Sequence, residues 1–269
     1  MNIFDDILEC VPEEYRSTEK LSPQELEQRQ CDWYNQSEGR LQGIDCPECK
    51  NRGYFQILDS EGTRRMRECK CMAHRRYVSA MKEAGLGDLY ENCTFDRYET
   101  TTDWQRTCKA IAWRYAITDG NGWLLFSGQS GVGKTMLCTA ICGELAKRGR
   151  GIKYVQWKRL YDRLLQTKYR MAEQDAIFNE IIAADVLYLD DFLKMPRNAT
   201  PDSEMLSYAL EIIDARYKAD KKTILSTEFF SDDIIRFDEA LGGRIKEKTA
   251  KNKIQILNQD GRNYRIREE

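Results

Sequence analysis

The chain has 269 residues, of which 41% are hydrophobic and 32% charged, with 42 basic and 44 acidic side chains. This length predicts one or two domains, and the near balance of charge excludes a uniformly basic coat for nucleic acid. No apolar run approaches the roughly 18 residues of a membrane helix, and the early acids do not fit a signal peptide. We therefore expect a cytoplasmic protein that contacts no membrane.

Charge is distributed unevenly along the chain. Residues 1–40 contain ten acids and four bases, whereas residues 150–170 contain seven bases and one acid. Within the acidic region, Ser22-Pro23-Gln24-Glu25 is a capping box with proline at the first helical position, and Leu26 and Trp33 follow as a thin apolar stripe. We interpret residues 1–40 as an acidic region with a short helix; a frayed acidic tail is the alternative.

Four of the ten cysteines are clustered in the next region, residues 41–83. They form a CxxC pair, nineteen intervening residues and a CxC pair: Cys46, Cys49, Cys69 and Cys71. Thiolates at such spacings can close a tetrahedral zinc site, and a segment this short would depend on the metal for stability. We predict a zinc-binding module with a hairpin between the pairs. An iron–sulfur cluster is possible in principle, and His74 is an alternative ligand, although a surface position explains it more simply.

The third region, residues 84–269, alternates between strand and helix patterns. Strands are predicted at 121–128, 151–157, 184–191 and 222–227, and helices at 134–149, 158–183 and 202–219. Strands that alternate with helices indicate a parallel sheet covered on both faces. The predicted fold class is therefore α/β, with three layers.

A phosphate-binding motif lies between the first predicted strand and the first predicted helix. The sequence GxxxxGK[ST] is matched by Gly128, Gln129, Ser130, Gly131, Val132, Gly133, Lys134 and Thr135. Glycines let the backbone turn its N–H groups toward phosphate oxygens, and the helix N-terminus adds partial positive charge. Lys134 would reach the β- and γ-phosphates of ATP, and Thr135 would supply a hydroxyl to Mg²⁺.

The partner of this loop is an acid at the end of a buried strand. The apolar run Val186-Leu187-Tyr188-Leu189 ends in Asp190 and Asp191. We expect Asp190 to hold Mg²⁺ and Asp191 to polarise the attacking water. For Asp191, a supporting hydrogen bond is the alternative.

In this order, the cysteine module, the phosphate loop and the paired aspartates resemble the DnaC/DnaI-type replicative helicase loaders. These are P-loop ATPases of the AAA+ class, and the closest likeness is to those carried by phages and prophages of Gram-positive bacteria. The resemblance extends from about residue 46 to the end. It is carried by CPECKNRGYF, CKCMAHRR, TFDRYET, GQSGVGKT, VLYLDDF, TILSTEF, DEALGGRI and GRNYRIR.

The resemblance implies a AAA+/RecA-like sheet without a helical lid, and roles for four further residues. Thr227 and Glu228 fall at the sensor 1 region, where asparagine is usual in the broader class; a glutamate accepts hydrogen bonds and cannot donate them. Arg244 matches the arginine-finger segment, and Arg265 matches a terminal, sensor 2-like arginine that contacts ATP. Ordinary surface arginines are the alternative for both.

The resemblance also implies the partners. The region from 150 to 170 corresponds to a part that such loaders use for single-stranded DNA, and its candidate residues are Lys158, Arg159, Arg163, Lys168 and Arg170. Trp157, Tyr161 and Tyr169 could stack bases, or the first two could face the core. A solvated basic face without a ligand is the alternative.

We therefore expect an ATPase, slow and stimulated by DNA or a partner, that loads a hexameric replicative helicase onto single-stranded DNA. Residues 1–40 would grip the helicase, and the ATPase domains would associate with each other. One alternative is a transposition helper ATPase of the IstB type. Another is a zinc-stabilised adaptor that binds nucleotide with little turnover.

Overall fold

The computed structural model describes residues 21–83, 86–195, 199–257 and 262–263. The described residues up to Cys69 form one compact unit, and those from Lys70 onward form a second. The boundaries expected from sequence, 1–40, 41–83 and 84–269, remain a prediction.

The first unit joins a helix to a hairpin. Helix α1 (Pro23–Gln36) begins at the predicted capping box, where the Ser22 hydroxyl accepts from the Glu25 amide and the Glu25 carboxylate accepts from the Ser22 amide. Strands β1 (Tyr54–Leu58) and β2 (Arg64–Glu68) pair antiparallel, as expected. The Asn35 side chain exchanges two hydrogen bonds, of 2.8 and 2.9 Å, with the backbone of Gln56. The helix and the hairpin are therefore fastened together.

The second unit is the α/β domain. Its helices are α2 (Cys71–Glu83), α3 (Gly87–Asn92), α4 (Asp103–Ile117), α5 (Lys134–Lys147), α6 (Trp157–Gln166), α7 (Met171–Ala183), α8 (Ser203–Lys218), α9 (Ser231–Phe237) and α10 (Glu239–Lys248). Its strands are β3 (Leu124–Gly128), β4 (Ile152–Gln156), β5 (Val186–Asp190), β6 (Lys222–Thr227) and β7 (Lys253–Ile256). They pair in parallel in the order β4-β5-β6-β3-β7, which confirms the predicted sheet.

Alternate residues of the strands face two separate apolar clusters. Leu124 and Phe126 of β3 pack with α2, α4 and α5, whereas Leu125 of the same strand packs with α6 to α10. This is the period of two expected for strands buried on both faces. The fold is therefore three-layered, with helices on each side of the sheet.

The segment 158–183 is helical, as predicted, but it is divided into two helices. Helices α6 and α7 are separated at residues 167–170. Thr167 is the C-cap of α6, and its hydroxyl donates to the carbonyls of Arg163 and Leu164 in the last turn. Tyr169, in the break, is 91% exposed. No apolar side chain therefore holds this part of the chain on the core.

In the described part of the chain, no helix combines the length and apolarity needed to cross a membrane. Helix α10 leads directly into β7, and beyond β7 the structure describes only Leu257, Arg262 and Asn263. None of these three residues is helical, and the absence of a helical lid stays a prediction.

Adjacent glycines of α10 provide a test of the packing. A Cβ added at Gly242 would lie 2.5 Å from the backbone nitrogen of Ile235 in α9, whereas one added at Gly243 meets nothing within 4 Å. We predict that Gly242→Ala lowers the free energy of unfolding by about 1–3 kcal/mol through overpacking. Gly243→Ala should raise it by up to about 1 kcal/mol, because alanine favours the helix. Urea unfolding followed by circular dichroism measures both, and equal effects would contradict this packing.

Candidate nucleotide site and cysteine cluster

The phosphate loop connects an inner strand of the sheet to a helix N-terminus. Strand β3 ends at Gly128, and α5 begins at Lys134. Gly131 and Gly133 have φ of 78° and 87°, which side chains rarely adopt. A Cβ at Gly133 would also lie 2.9 Å from the Tyr98 ring. The motif therefore folds locally as predicted, with a tight loop whose helix N-terminus can receive phosphate.

Lys134 is buried beside this loop. Its Nζ donates to the carbonyls of Gly128 and Gln129, at 2.7 and 2.9 Å. Burial lowers the pKa of the Lys134 ammonium, and the charges of Glu228 and Asp191 oppose that shift. The ammonium is thus held by two loop carbonyls that a phosphate can replace.

Thr135 and Asp190 meet across the domain, 55 residues apart in sequence. The Thr135 hydroxyl donates to Asp190 Oδ1 at 3.1 Å. Adjacent oxygens around an octahedral Mg²⁺, each at about 2.1 Å, lie about 3.0 Å apart. The two oxygens therefore fit neighbouring positions of a magnesium site, where the ion would neutralise phosphate charge.

Three further hydroxyls hold the Asp190 carboxylate. Tyr188 and Ser226 donate to Oδ1 at 2.7 and 2.6 Å, and Tyr154 donates to Oδ2 at 2.9 Å. Sequence reasoning missed all three. Tyr188 carried a signal, because residues two apart on a strand share a face; Ser226 and Tyr154 come from other strands, whose pairing the sequence did not specify.

Beyond Asp190 the chain turns sharply, and Asp191 has φ of 53°, a conformation that aspartate tolerates better than most residues. Its carboxylate lies 3.2 Å from Lys194 Nζ, and Lys194 Nζ also lies 3.0 Å from Glu228 Oε1. Lys194 and Glu228 line a cleft of about 530 Å³ together with Gln129 and Ser130 of the phosphate loop. Lys194 was not predicted, and a lysine in a turn carries no signal of such a role.

Thr227 is buried and engaged. Its hydroxyl donates to the Phe192 carbonyl at 2.8 Å and accepts from the Phe229 amide. It thereby ties the turn after β5 to the end of β6, and of the sensor 1 pair only Glu228 faces the cleft.

A second cleft, of about 290 Å³, lies on the other side of the loop. It is lined by Arg97, Tyr98, Glu99, Gln105, Gly131, Val132, Gly133 and Met136. The TFDRYET segment, quoted for its resemblance alone, therefore forms a wall beside the phosphate loop. Asn263, from the GRNYRIR motif, packs against Gly131 of the loop.

The structure describes one of the two predicted arginines. Arg244, on α10, lies 2.8 Å from Asp214 Oδ1 of α8 and donates to the Ala240 carbonyl. Arg265 lies outside the described residues. The structure therefore places Arg244 on the α8–α10 face and gives no position for Arg265.

The five candidate bases of the basic segment are exposed, and four of them have acidic partners. Lys158 pairs with Asp162, Arg163 lies near Glu180, Lys168 pairs with Glu204 and Arg170 pairs with Glu173. Exposed pairs of this kind contribute little stability and leave the bases available to other anions. Arg159 and Arg163 line a cleft beside β4. Trp157 and Tyr161 are buried in the core, so Tyr169 is the exposed aromatic of the three.

The four predicted cysteine ligands come together. The sulfur atoms of Cys46, Cys49, Cys69 and Cys71 all lie within 4.8 Å of one another, and all four residues are buried. The Cys46–Cys69 distance is 3.8 Å, which matches the separation of about 3.8 Å between sulfurs that bind one zinc at about 2.3 Å. His74 is not in the group; its Nε2 pairs with the Tyr90 hydroxyl.

A tight turn presents the first pair of sulfurs. Lys50 and Asn51 both have positive φ, and the Asn51 side chain accepts from the Cys46 amide at 2.8 Å. The Gly53 amide donates to the Cys49 sulfur at 3.2 Å. A backbone N–H directed at sulfur stabilises a thiolate, so the turn suits a metal ligand.

Comparison with known proteins gives consistent matches along most of the chain. The sequence profile of the IstB-like ATP binding protein family matches residues 56–269. Phage-like element PBSX protein XkdC of Bacillus subtilis strain 168 is 28% identical over 213 residues, which cover 76% of this chain and 79% of XkdC. Replicative helicase loader DnaC of Escherichia coli K12 is 23% identical over 185 residues, 68% of this chain and 71% of DnaC.

Solved structures agree on the fold. The crystal structure of the DnaC helicase loader superimposes with a TM-score of 0.50 at 22% identity, covering 63% of this chain and 98% of that chain. Domain III of the Thermotoga maritima replication initiation protein DnaA gives 0.52 at 14% identity, covering 63% and 68%. The described domain thus has the P-loop fold of these AAA+ proteins.

The cysteine cluster yields a prediction about zinc. Reduced protein should contain about one zinc per chain, and Cys49→Ser should lose most of it, because three thiolates and one hydroxyl bind zinc more weakly than four thiolates. Elemental analysis of the purified protein measures the zinc content. Cys93→Ser, which changes a half-buried cysteine outside the cluster, should keep the metal. Zinc-free wild-type protein, prepared reduced and without chelator, would refute the site.

Proposed function

The chain belongs to the family of IstB-like ATP-binding proteins, which are AAA+ ATPases, and we propose that it loads a hexameric replicative helicase onto single-stranded DNA. The main support is the convergence of Lys134, Thr135 and Asp190 at the carboxyl ends of the parallel strands. The chain is also similar to the DnaC loader over 185 residues. ATP binding and hydrolysis would control assembly and DNA binding. The protein would act in the cytoplasm.

The contacts of the site suggest how each residue would act. Lys134 would exchange two loop carbonyls for phosphate oxygens, and Thr135 and Asp190 would hold Mg²⁺. Asp191 would polarise the attacking water, but its carboxylate is paired with Lys194 in the described structure. Turnover by the isolated chain should therefore be slow, and DNA or a partner should stimulate it.

Arg244 would act on the nucleotide of a neighbouring subunit. An arginine against the transferring phosphoryl group can raise the rate on the order of 10³-fold or more. In the single chain its guanidinium is engaged by Asp214. Release from this pair on self-association would complete the site, and Arg265 would add a contact from the terminal motif.

The acidic N-terminal region would bind the helicase. Helix α1 leaves Leu26 49% and Trp33 72% exposed, seven residues apart and hence on one face. Exposed apolar residues grouped on one face, with tryptophan among them, are typical of protein interfaces. Residues 1–20 of the same region lie outside the described residues.

The basic segment would bind single-stranded DNA. Arg159 and Arg163 share a face of α6 and line one cleft with Lys153. Tyr169, between Lys168 and Arg170, supplies an exposed ring. Positive charge beside an aromatic platform suits a flexible strand whose bases can stack.

Two other functions remain candidates. The family profile carries the IstB name, so a transposition helper that acts on duplex DNA is one. The second is a zinc-stabilised adaptor with little turnover. The pairing of Asp191 and Glu228 with Lys194 supports it, because paired acids are not available for hydrolysis. Preference for duplex over single-stranded DNA would favour the first, and ATP binding without DNA-stimulated hydrolysis would favour the second.

The helicase assignment predicts the effect of two substitutions on α1. Changing both Leu26 and Trp33 to Ser should abolish co-purification with the cognate replicative helicase, because the apolar face is removed. ATP binding should stay normal, since these residues belong to the other unit. Gln28→Ser, on the same helix, is the matched control. Undiminished helicase binding by the double variant would contradict this assignment of the surface.

The DNA assignment predicts a change in salt dependence. Replacing Arg159 and Arg163 with Ala should weaken binding to single-stranded DNA and reduce the log–log salt slope by about 0.7 for each lost phosphate contact. Fluorescence anisotropy over a salt series measures both. A control that instead loses Arg106 and Lys147, two exposed bases paired with acids elsewhere, should keep the slope. An unchanged slope in the test variant would mean that this face is only solvated.

A further inference from the structure

The cleft beside the phosphate loop contains a lysine held by two acids. Lys194 Nζ lies 3.2 Å from Asp191 Oδ2 and 3.0 Å from Glu228 Oε1. Burial alone would lower the pKa of Lys194, but its hydrogen bond to Glu228 and the charge of Asp191 raise it above the ordinary value. The side chain is therefore a cation at neutral pH, next to Gln129 and Ser130 of the loop.

Glu228 is unsuited to bind a phosphate by itself, and Lys194 supplies the positive charge that Glu228 lacks. It follows β6, which lies between the strand of the phosphate loop and the strand of Asp190. A carboxylate at this position has no proton to donate to a phosphate oxygen and repels it by charge. A lysine held by that carboxylate supplies three N–H donors and a positive charge at the same place.

The charge of Lys194 is coupled to the groups of the phosphate site. The charges of Glu228, Asp191, Lys194 and Asp190 all act on the ammonium of Lys134, so the five groups form one electrostatic cluster. It contains two cations and three acids, and a triphosphate would add further negative charge. The Lys194 amide donates to the Asp191 carbonyl at 3.0 Å. The turn can therefore keep its backbone while the flexible side chain changes partner.

We infer that Lys194 distinguishes ATP from ADP: its ammonium leaves Asp191 and Glu228 to bind the γ-phosphate, which frees the Asp191 carboxylate for the attacking water. The inference rests on the proposed ATPase function and adds a cationic residue from within the same subunit. Glu228 holds Lys194 in the absence of the γ-phosphate. A ligand shifts such an equilibrium only by its differential affinity for the two arrangements, and only ATP provides the new partner.

The test compares affinities for a non-hydrolysable ATP analogue and for ADP, both with Mg²⁺. Lys194→Met keeps the length of the side chain and removes the charge. It should reduce the ratio of ATP-analogue to ADP affinity by about tenfold or more, the loss expected for one charge-assisted hydrogen bond. ADP affinity should change less than about twofold, because ADP lacks that phosphate. Lys194→Arg should retain most of the ratio. The matched control is Lys147→Met. Lys147 also pairs with a carboxylate, but it lies at the C-terminal end of α5, away from the phosphate loop.

A second variant tests the role of Glu228 independently. Glu228→Gln should raise the affinity ratio, because the γ-phosphate no longer competes with a carboxylate for Lys194. In the Lys194→Met background only the loss of repulsion between the carboxylate and the γ-phosphate remains, so the same change should have a smaller effect, and a double-mutant cycle measures the difference. Additive effects would overturn the inference, and Lys194→Gln takes the place of Lys194→Met in the cycle if the methionine variant is too unstable to purify.

The outcomes separate the inference from the function on which it rests. If Lys194→Met weakens ATP-analogue and ADP binding equally, or leaves their ratio unchanged, then Lys194 only supports the turn and the inference fails. The ATP site itself would stand as long as Lys134→Ala abolished analogue binding. If the wild-type protein bound no ATP analogue, or Lys134→Ala bound it normally, the proposed function would fail first.

Discussion

The described site depends on one buried carboxylate. Asp190 is only 6% exposed, and burying a charge is costly unless hydrogen bonds compensate it. Its four donors come from α5, β4, β5 and β6. They can surround the carboxylate only when the strands pair in the observed order. The carboxylate that is best placed to hold Mg²⁺ is therefore fully hydrogen-bonded only when the sheet is correctly assembled.

The features whose position in the structure agrees with the sequence analysis are those encoded locally. The phosphate loop combines glycines, a lysine and a preceding apolar run, and the paired cysteines have metal-ligand spacing. Asp190 could be predicted because an apolar strand ends in an acid. Each of these patterns is complete within a few residues.

The features that were missed depend on contacts between distant segments. Strand β7 is four residues long and half polar, so its period is too short to identify. The break at 167–170 depends on where the apolar face of α6 stops meeting the core. Lys194 gains its role only because β6 places Glu228 beside the turn after β5. No single-segment pattern contains that information, since it resides in the strand order.

The strand order also has a consequence for how the chain folds. Strand β3, which leads into the phosphate loop, has both its neighbours far downstream: Phe126 pairs with Ser226 on one side and with Ile254 on the other. During synthesis, this apolar strand leaves the ribosome long before either partner exists. Such non-local pairing slows folding and leaves apolar strands unpaired for longer. A chain that stops before β6 would expose an unpaired β3 and could not form the cleft, so premature termination should yield aggregation-prone fragments that do not bind nucleotide.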